Sequence, residues 1–559
     1  MDRNTFLAIV LSLAVLVSWT MYQAQFEPPP GELRREEVPE ELAVEETKPS
    51  SFEIPDEVEE SVPATPPPVM ATAEERILTF EKPLYIADFT TRGAGIRRWQ
   101  LRAFDHGPAG DHAPIVMTME REPVETTLLT PFIELGLGDL SEAIFEVESE
   151  DETAVSFRFS HNGVTVRKVY TLDDDSYSFR LRIQVENTSP SVITPAFGVQ
   201  WPAAKSNTQD FKDKAFTLLH NGEVETHPVA SIGSAGFLGS LFGGGTEGDP
   251  EYHGEIDWAG IQSTYFLGVL LPDDPARARV GVATVEPGDS GVAEVSFLPV
   301  KVPPGQAMNQ EFRGYLGPKE QDRLEQMGGD TIRSIDLGWS WIEPLVLGFN
   351  WLLRALYSII PNYGIAIILL TILVRLATMP LTNRQMRSME RMRQVQPKVK
   401  ALQEKHGDDR QKQSEEMMKL YRAEGVNPLG GCFPMLLQLP VFIGLFYALR
   451  SSIQLRQAPF VGWINDLSAP ETLFTIPGIE IPIRVLPLVM GVSMVLQQKI
   501  TPTASVDPTQ ARMMMTIMPV MMTVLFYQFP SGLVLYWFVS NILAIGHQLL
   551  IGRRLRSAS

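Results

Sequence analysis

The sequence predicts a multi-domain membrane protein, an α-helical transmembrane bundle of about six spans joined to a large all-β sandwich domain. Three observations carry this reading. Long apolar runs crowd the C-terminal part of the 559-residue chain. Residues 76 to about 318 instead alternate apolar and polar positions between turn clusters. A further apolar run opens the chain, which is too long for one ordinary domain.

The first run, FLAIVLSLAVLVSWTMY at 6–22, follows Arg3 and precedes Glu-rich sequence. A cleaved signal peptide would need small residues at its exit, but MYQAQFE puts Met21 or Tyr22 there. We therefore expect an uncleaved transmembrane anchor over 1–25, with the N-terminus cytoplasmic. Residues 26–75 are dominated by proline and glutamate. Such a stretch buries too little apolar surface to offset its ordering entropy, so it reads as a disordered acidic linker.

Over 76–330 short strands are expected. Val164 and Val166, then Phe179, Leu181, Ile183 and Val185, recur at the two-residue period of a half-buried strand. The clusters HNG (161–163), DDDS (173–176) and NTSP (187–190) supply turns. The stretch GSAGFLGSLFGGGTEGD (233–249) reads as a Gly-rich loop. Residues 331–360 carry Trp339, Trp341 and Trp351 beside Glu343, Pro344 and Arg354. That mixture suits an amphipathic helix at a membrane interface, where tryptophan is favoured; a further full span is the alternative.

Residues 361–552 hold five candidate spans at about 363–382, 430–449, 484–500, 513–529 and 532–551. The third and fourth are short for a bilayer that takes about 20 residues, which implies thinning or tilt. Between the first two lies a charged helical hairpin, 384–428, with HGDD (406–409) as its turn. Its Arg387 and Arg391, with Arg553, Arg554 and Arg556 in the short basic tail 553–559, mark one side as cytoplasmic. Six spans from a cytoplasmic N-terminus return the C-terminus to the cytoplasm and put the β-domain on the far side. The net charge of −20 hides this asymmetry, because acidic residues crowd the first half.

The sequence lacks GxxxxGK[ST], a strand-to-helix GxGxxG, HExxH and GxSxG. Nucleotide-driven work and standard hydrolysis are unsupported, and no cofactor is expected. Cys432 is the one cysteine, so an intrachain disulfide is impossible; its LGGC setting lies far from the N-terminus, where lipoprotein boxes belong. One charge lies deep inside a candidate span, Arg375 in TILVRLATMP (371–380). An arginine at a helix centre costs about 2.5–3.5 kcal/mol on insertion scales. Snorkelling recovers part of this, but Arg384 lies nine residues on, about 13 Å along a helix. The other four C-terminal spans hold no Asp or Glu to pair with it. The reading is a water-filled cavity open toward the cytoplasm, lined also by Thr371, Gln438, Ser493, Gln497, Gln498, Ser540 and Asn541; interhelical hydrogen bonding is the ordinary alternative for each. Met386, Met389 and Met392 on the hairpin suit a surface that receives varied apolar partners, with packing as the alternative.

The motifs NPLGGCFPMLLQLPVFIGLFYAL (427–449), LRQAPF (455–460), FPSGLVLYWFVSN (529–541), TILVRLATMPLT and QPKVKALQEKHGDD (396–409) resemble the signatures of the YidC membrane protein insertase family. The resemblance covers essentially the whole chain and is strongest over 331–559. It implies a bacterial inner-membrane insertase and chaperone, not an enzyme, with a hydrophilic groove open to cytoplasm and lipid. Arg375 falls at the groove arginine, and Thr371 and Trp537 at substrate-contact positions, Trp537 replacing a frequent tyrosine. The implied partners are nascent membrane proteins, the lipid bilayer, and the Sec translocon with its SecDF accessory subunits. The ribosome and targeting factors would meet the hairpin, without direct nucleic-acid recognition. The β-domain would be a periplasmic β-supersandwich similar to galactose-mutarotase folds, as TRGAGIRRWQL (91–101) and YTLDDDSYSFRLRIQVEN (170–187) fit. Two rival classes stay open: a secondary transporter binding a small anion at Arg375, disfavoured by the missing inverted repeat, and a carbohydrate-binding envelope protein acting through the β-domain.

Overall fold

The computed structural model describes residues 74–557 apart from 108–111, 119–125, 133–134, 136, 196–197, 207, 233–248, 406–409, 425–432, 477–481 and 501–507. The expected anchor, nearly all of the acidic linker, the Gly-rich loop, the HGDD turn and Cys432 lie outside the described residues.

Strands occupy the chain from Ile77–Glu81 to Gln306–Pro318. They form a nine-stranded antiparallel sheet and two four-stranded sheets. The alternation that predicts strands also sets their faces. In Ser178–Asn187, Phe179, Leu181, Ile183 and Val185 are buried while Arg180 and Arg182 point out. This strand pairs with Val164–Leu172 in a register that matches Val166 with Val185 and Tyr170 with Leu181, so both apolar faces meet the same core. The HNG cluster makes the turn into Val164–Leu172, with Asn162 and Gly163 both at positive φ, as a two-residue hairpin turn requires. Aromatic side chains fill the space between sheets: Tyr85 stacks on Trp99 at 4.0 Å, and Trp258 is fully buried.

Three lysines are buried in this domain; Lys82 pairs with Asp174, and the other two are held by neutral oxygens. Lys168 Nζ donates to the carbonyls of Leu128 (2.7 Å) and Gly93 (3.1 Å). Lys319 Nζ donates to Gln262 Oε1 (2.7 Å) and Ser334 O (2.9 Å). Burial away from water disfavours the charged form and pushes each of these two ammonium groups down to about 7.

The chain then turns helical. Helix α1 (Gln321–Met327) closes the sandwich and α2 (Glu343–Ile359) follows. Helix α2 buries Val346, Phe349 and Leu353 and leaves Trp351 exposed, with Trp339 and Trp341 exposed just before it. Next come α3 (Tyr363–Lys405), α4 (Arg410–Ala423), α5 (Phe433–Ser451), α6 (Val485–Ile500), α7 (Pro508–Phe526) and α8 (Ser531–Ser557). The hairpin is not a separate element. Its first arm continues the first candidate span without a break, so α3 runs for 43 residues. The basic tail likewise begins inside α8.

By length and composition, two described stretches can each cross a membrane, Tyr363–Asn383 and Ser531–Leu550. Leu439–Ser451, Val485–Ile500 and Thr516–Phe526 are shorter apolar helices, so the expected count of about six spans is not reached on this criterion. The reasons are local: α6 holds only 16 residues, and the approaches to α5 and α7 fall outside the described residues. The helices share an apolar core but also bury polar groups and expose apolar ones. Leu376, Val492, Val524 and Leu550 are exposed, whereas Ser493, Ser540 and Asn541 are buried. Exposed apolar faces around polar contacts suit lipid as the outer solvent.

Lys168 and Lys319 give the β-domain a signature. Between pH 7 and 9 the folded domain binds fewer protons than the unfolded chain, whose lysines titrate near 10.5. Stability therefore rises with pH in this window, by up to about 1.4 kcal/mol per pH unit for each lysine. Urea unfolding of residues 74–342 at pH 7, 8 and 9 should show the rise, and Lys168→Met should roughly halve it, leaving the part due to Lys319.

Candidate functional site

Helices α3 and α8 meet at Arg375. Its Nε donates to Ser540 Oγ at 3.0 Å, and its Nη2 donates to the same oxygen. The guanidinium is half-buried, and its partner is a hydroxyl rather than an acid. A hydrogen bond to a charged group returns about 1.5–3 kcal/mol, the same order as the insertion cost of the arginine. Ser540 therefore offsets much of that cost while leaving the charge unneutralised.

Ser540 belongs to a polar seam. Its neighbour Asn541 donates through Nδ2 to Ser493 Oγ on α6 at 3.0 Å, and Ser493 Oγ donates to Met490 O at 2.6 Å. Helix α8 thus binds α3 with one residue and α6 with the next. One turn earlier, Trp537 packs edge-on against Phe442 of α5 at 4.8 Å and tilts against Phe526 of α7 at 5.0 Å. The aromatic and the charged contacts therefore sit on adjacent turns of α8.

The other sequence-predicted residues divide. Thr371 lies one turn before Arg375 but is fully buried, its Oγ1 donating to Ile367 O at 2.6 Å. Its hydroxyl makes a back-bond within its own helix. Gln438 is on α5, and its side chain lies outside the described residues, as do those of Arg387 and Met389. Arg391 is exposed and Met386 is half-buried. Met392 packs with Met417, Leu420 and Tyr421 around Val395 and Val399. This methionine joins α3 to α4 and is part of the hairpin's own core.

Gln498, expected to line the cavity, has a buried Oε1 without a hydrogen-bond partner among the described residues, and sequence reasoning passed over two more such atoms, Asn383 Oδ1 and His547 Nε2. His547 lies two turns beyond Ser540 on the same side of α8. The signal was available: an imidazole in an apolar helix raises the question that Arg375 raises. Phe442 and Phe526 were also missed, because an aromatic in an apolar span carries no mark of its partner.

Fold and site define a membrane-embedded protein that holds an uncompensated positive charge inside an apolar helical bundle, next to a large β-sandwich. Comparison with known proteins narrows this. The family model described as "60Kd inner membrane protein" matches residues 355–558, and that described as "YidC periplasmic domain" matches residues 77–346. The membrane protein insertase YidC of Pelobacter propionicus is 34% identical over 572 residues, covering 99% of each chain. That of Syntrophus aciditrophicus is 33% identical over 577 residues, covering 99% of this chain and 100% of its own. A crystal structure of an active YidC insertase with its first transmembrane domain resolved aligns over 85% of this chain and 92% of that one, at 19% identity and a TM-score of 0.36. The chain belongs to the YidC family of membrane protein insertases, which are not enzymes.

The Arg375–Ser540 contact makes a stability prediction. Ser540→Ala removes the acceptor and leaves the guanidinium without it, at a cost of about 1.5–3 kcal/mol in thermal unfolding of detergent-solubilised protein. Thr371→Val should be neutral or slightly stabilising, because the hydroxyl it removes only back-bonds to its own helix.

Proposed function

We propose that the Arg375 region is the substrate groove of an insertase and chaperone that inserts, folds and helps assemble integral inner-membrane proteins, alone or with the Sec translocon and SecDF. The physical problem is to move a polar tail across hydrocarbon while an apolar helix enters lipid. The observation that carries the reading is the arginine held by a hydroxyl instead of an acid. A guanidinium has five N–H donors and Ser540 takes two, which leaves three for water or for a polar client. An unneutralised charge in a low-dielectric setting attracts an acidic segment more strongly than it would in water.

Roles for the neighbouring residues follow. Trp537 offers an aromatic surface to the client beside Phe442 and Phe526, Gln438 lines the path, and Thr371, buried one turn before Arg375, backs the groove wall. The short α6 and α7 thin the bilayer and shorten the remaining distance. Burial of the client's apolar stretch, about 25 cal/mol per Å², drives the step without nucleotide hydrolysis. Five spans over 361–552, an anchor at 1–25 and cytoplasmic termini put the basic hairpin where it can receive the ribosome, targeting factors and nascent chains. Met386, Met389, Arg387 and Arg391 would serve that contact, and the β-domain over 76–330 would face the periplasm.

The test depletes the protein and follows a small membrane protein with a short acidic tail. Tail translocation at the normal rate would falsify the insertase reading for such clients. In complemented cells, Arg375→Leu should slow acidic-tail clients most, and equal slowing of every client would count against attraction by the charge. Loss of activity on deleting residues 76–310 alone would shift the weight to the β-domain.

A further inference from the structure

The α5–α6 connection, residues 452–484, belongs to both halves of the molecule. Ile453 is buried in the core of the β-sandwich, while Leu455, two residues on, is fully buried in the helical core. Between the two cores the chain inserts Arg456 into the β-domain. Arg456 Nε donates to Asp210 Oδ1 at 2.5 Å, and Nη2 donates to Asp210 Oδ2 at 2.9 Å. Nη2 also reaches the carbonyl of Asp105, and the guanidinium lies 5.4 Å from the centre of the Phe266 ring. The Arg456 and Asp210 side chains are only 6% and 7% exposed. His106 Nδ1 sits 2.9 Å from Asp210 Oδ2, and Gln457 Nε2 donates to Asp105 O at 2.8 Å. A bidentate, enclosed arginine–carboxylate pair differs from a surface ion pair, because its geometry is fixed and neither charge has water to return to.

The same connection holds the starts of both helices that meet at Arg375. Asn362 caps α3 by accepting from Ile365 N at 3.0 Å, and its Nδ2 donates to Phe460 O at 3.3 Å. Gly364 lets Phe460 lie against that first turn: a Cβ there would meet the ring at 2.0 Å. At α8, Ser531 N donates to Ala469 O (2.8 Å), Ser531 Oγ to Asp466 O (2.7 Å) and Gly532 N to Leu467 O (2.9 Å). Arg375 lies about 18 Å along α3 from this anchorage, and Ser540 about 14 Å along α8. Regular helices of that length carry a displacement at their base down to the contact.

We infer that Arg456 is a positioning residue for the membrane site: clamped by Asp210 of the β-domain, it fixes the connection on which α3 and α8 are both seated, and so sets how Arg375 meets Ser540. The β-domain then acts on the site through one loop. The inference rests on the contacts and not on the client, so its test reads distances.

The experiment uses the full chain in lipid nanodiscs, with Cys432→Ser and pairs of spin labels at exposed positions. Labels at Val192 and Leu549 report the β-domain against α8; labels at Leu373 and Ile542 report α3 against α8. The parent should give one narrow distance for each pair. Arg456→Gln and, separately, Asp210→Asn should each broaden or shift both, Arg456→Lys should fall between, and the double variant should be no worse than the worse single. Unchanged distributions in both singles overturn the clamp. A changed Val192–Leu549 distance with an unchanged Leu373–Ile542 distance overturns the positioning role. Asp210→Asn keeps the size of the side chain and carries the test should Arg456→Gln fail to accumulate. Normal distances in a protein that does not insert clients would count against the insertase reading instead.

Discussion

A guanidinium in an apolar helix must be solvated by something, and among the described residues the group that binds it is one hydroxyl. The Arg375–Ser540 contact joins α3 to α8, and Asn541 extends the connection to Ser493 of α6. Apolar side chains alone would pack these helices with little preference for one register, since lipid is as apolar as leucine. Polar groups with few possible partners select the register. The rest of the bundle follows from this constraint: the polar residues turn inward, the exposed faces stay apolar, and Trp537 comes to rest against Phe442 and Phe526 one turn away.

The β-domain handles its buried charges differently. Its core is apolar and aromatic, and two of its buried lysines, Lys168 and Lys319, are held by carbonyl and amide oxygens. Where the two regimes meet, the chain places side chains in both cores within a few residues, Ile453 on one side and Leu455 on the other. The enclosed Arg456–Asp210 pair lies at that seam, where neither lipid nor a purely apolar core would hold it.

Much of this was legible in the sequence, for identifiable reasons. The strand Ser178–Asn187 could be read because its alternation has a period of two and one face is buried. Arg375 could be read because a charge in an apolar run is rare and expensive. Its partner was less visible, since Ser540 looks like any small residue suited to helix packing. Thr371 was misleading: its spacing puts it on the face of Arg375, but a threonine in a helix can spend its hydroxyl on the carbonyl four residues back, and this one does. Met392 looked like a receptive surface because thioethers pack equally well against a client or a neighbouring helix. The Arg456–Asp210 pair spans 246 residues, a separation that no local pattern reports.

The unbroken α3 makes the cytoplasmic hairpin and the membrane site two parts of one lever. Forty-three residues at helical rise make a rod about 64 Å long, with Arg375 near one end and the charged arm at the other. A rigid rod would transmit every tug on the hairpin to the arginine. Pro380 lies between them, five residues past Arg375, and its ring removes the hydrogen bond to the carbonyl of Leu376. Bending stiffness is lowered there, as it is at Pro397 farther out, so a load on the outer arm flexes the rod below the arginine before it strains the bond to Ser540. The two ends can thus share one helix without sharing one motion.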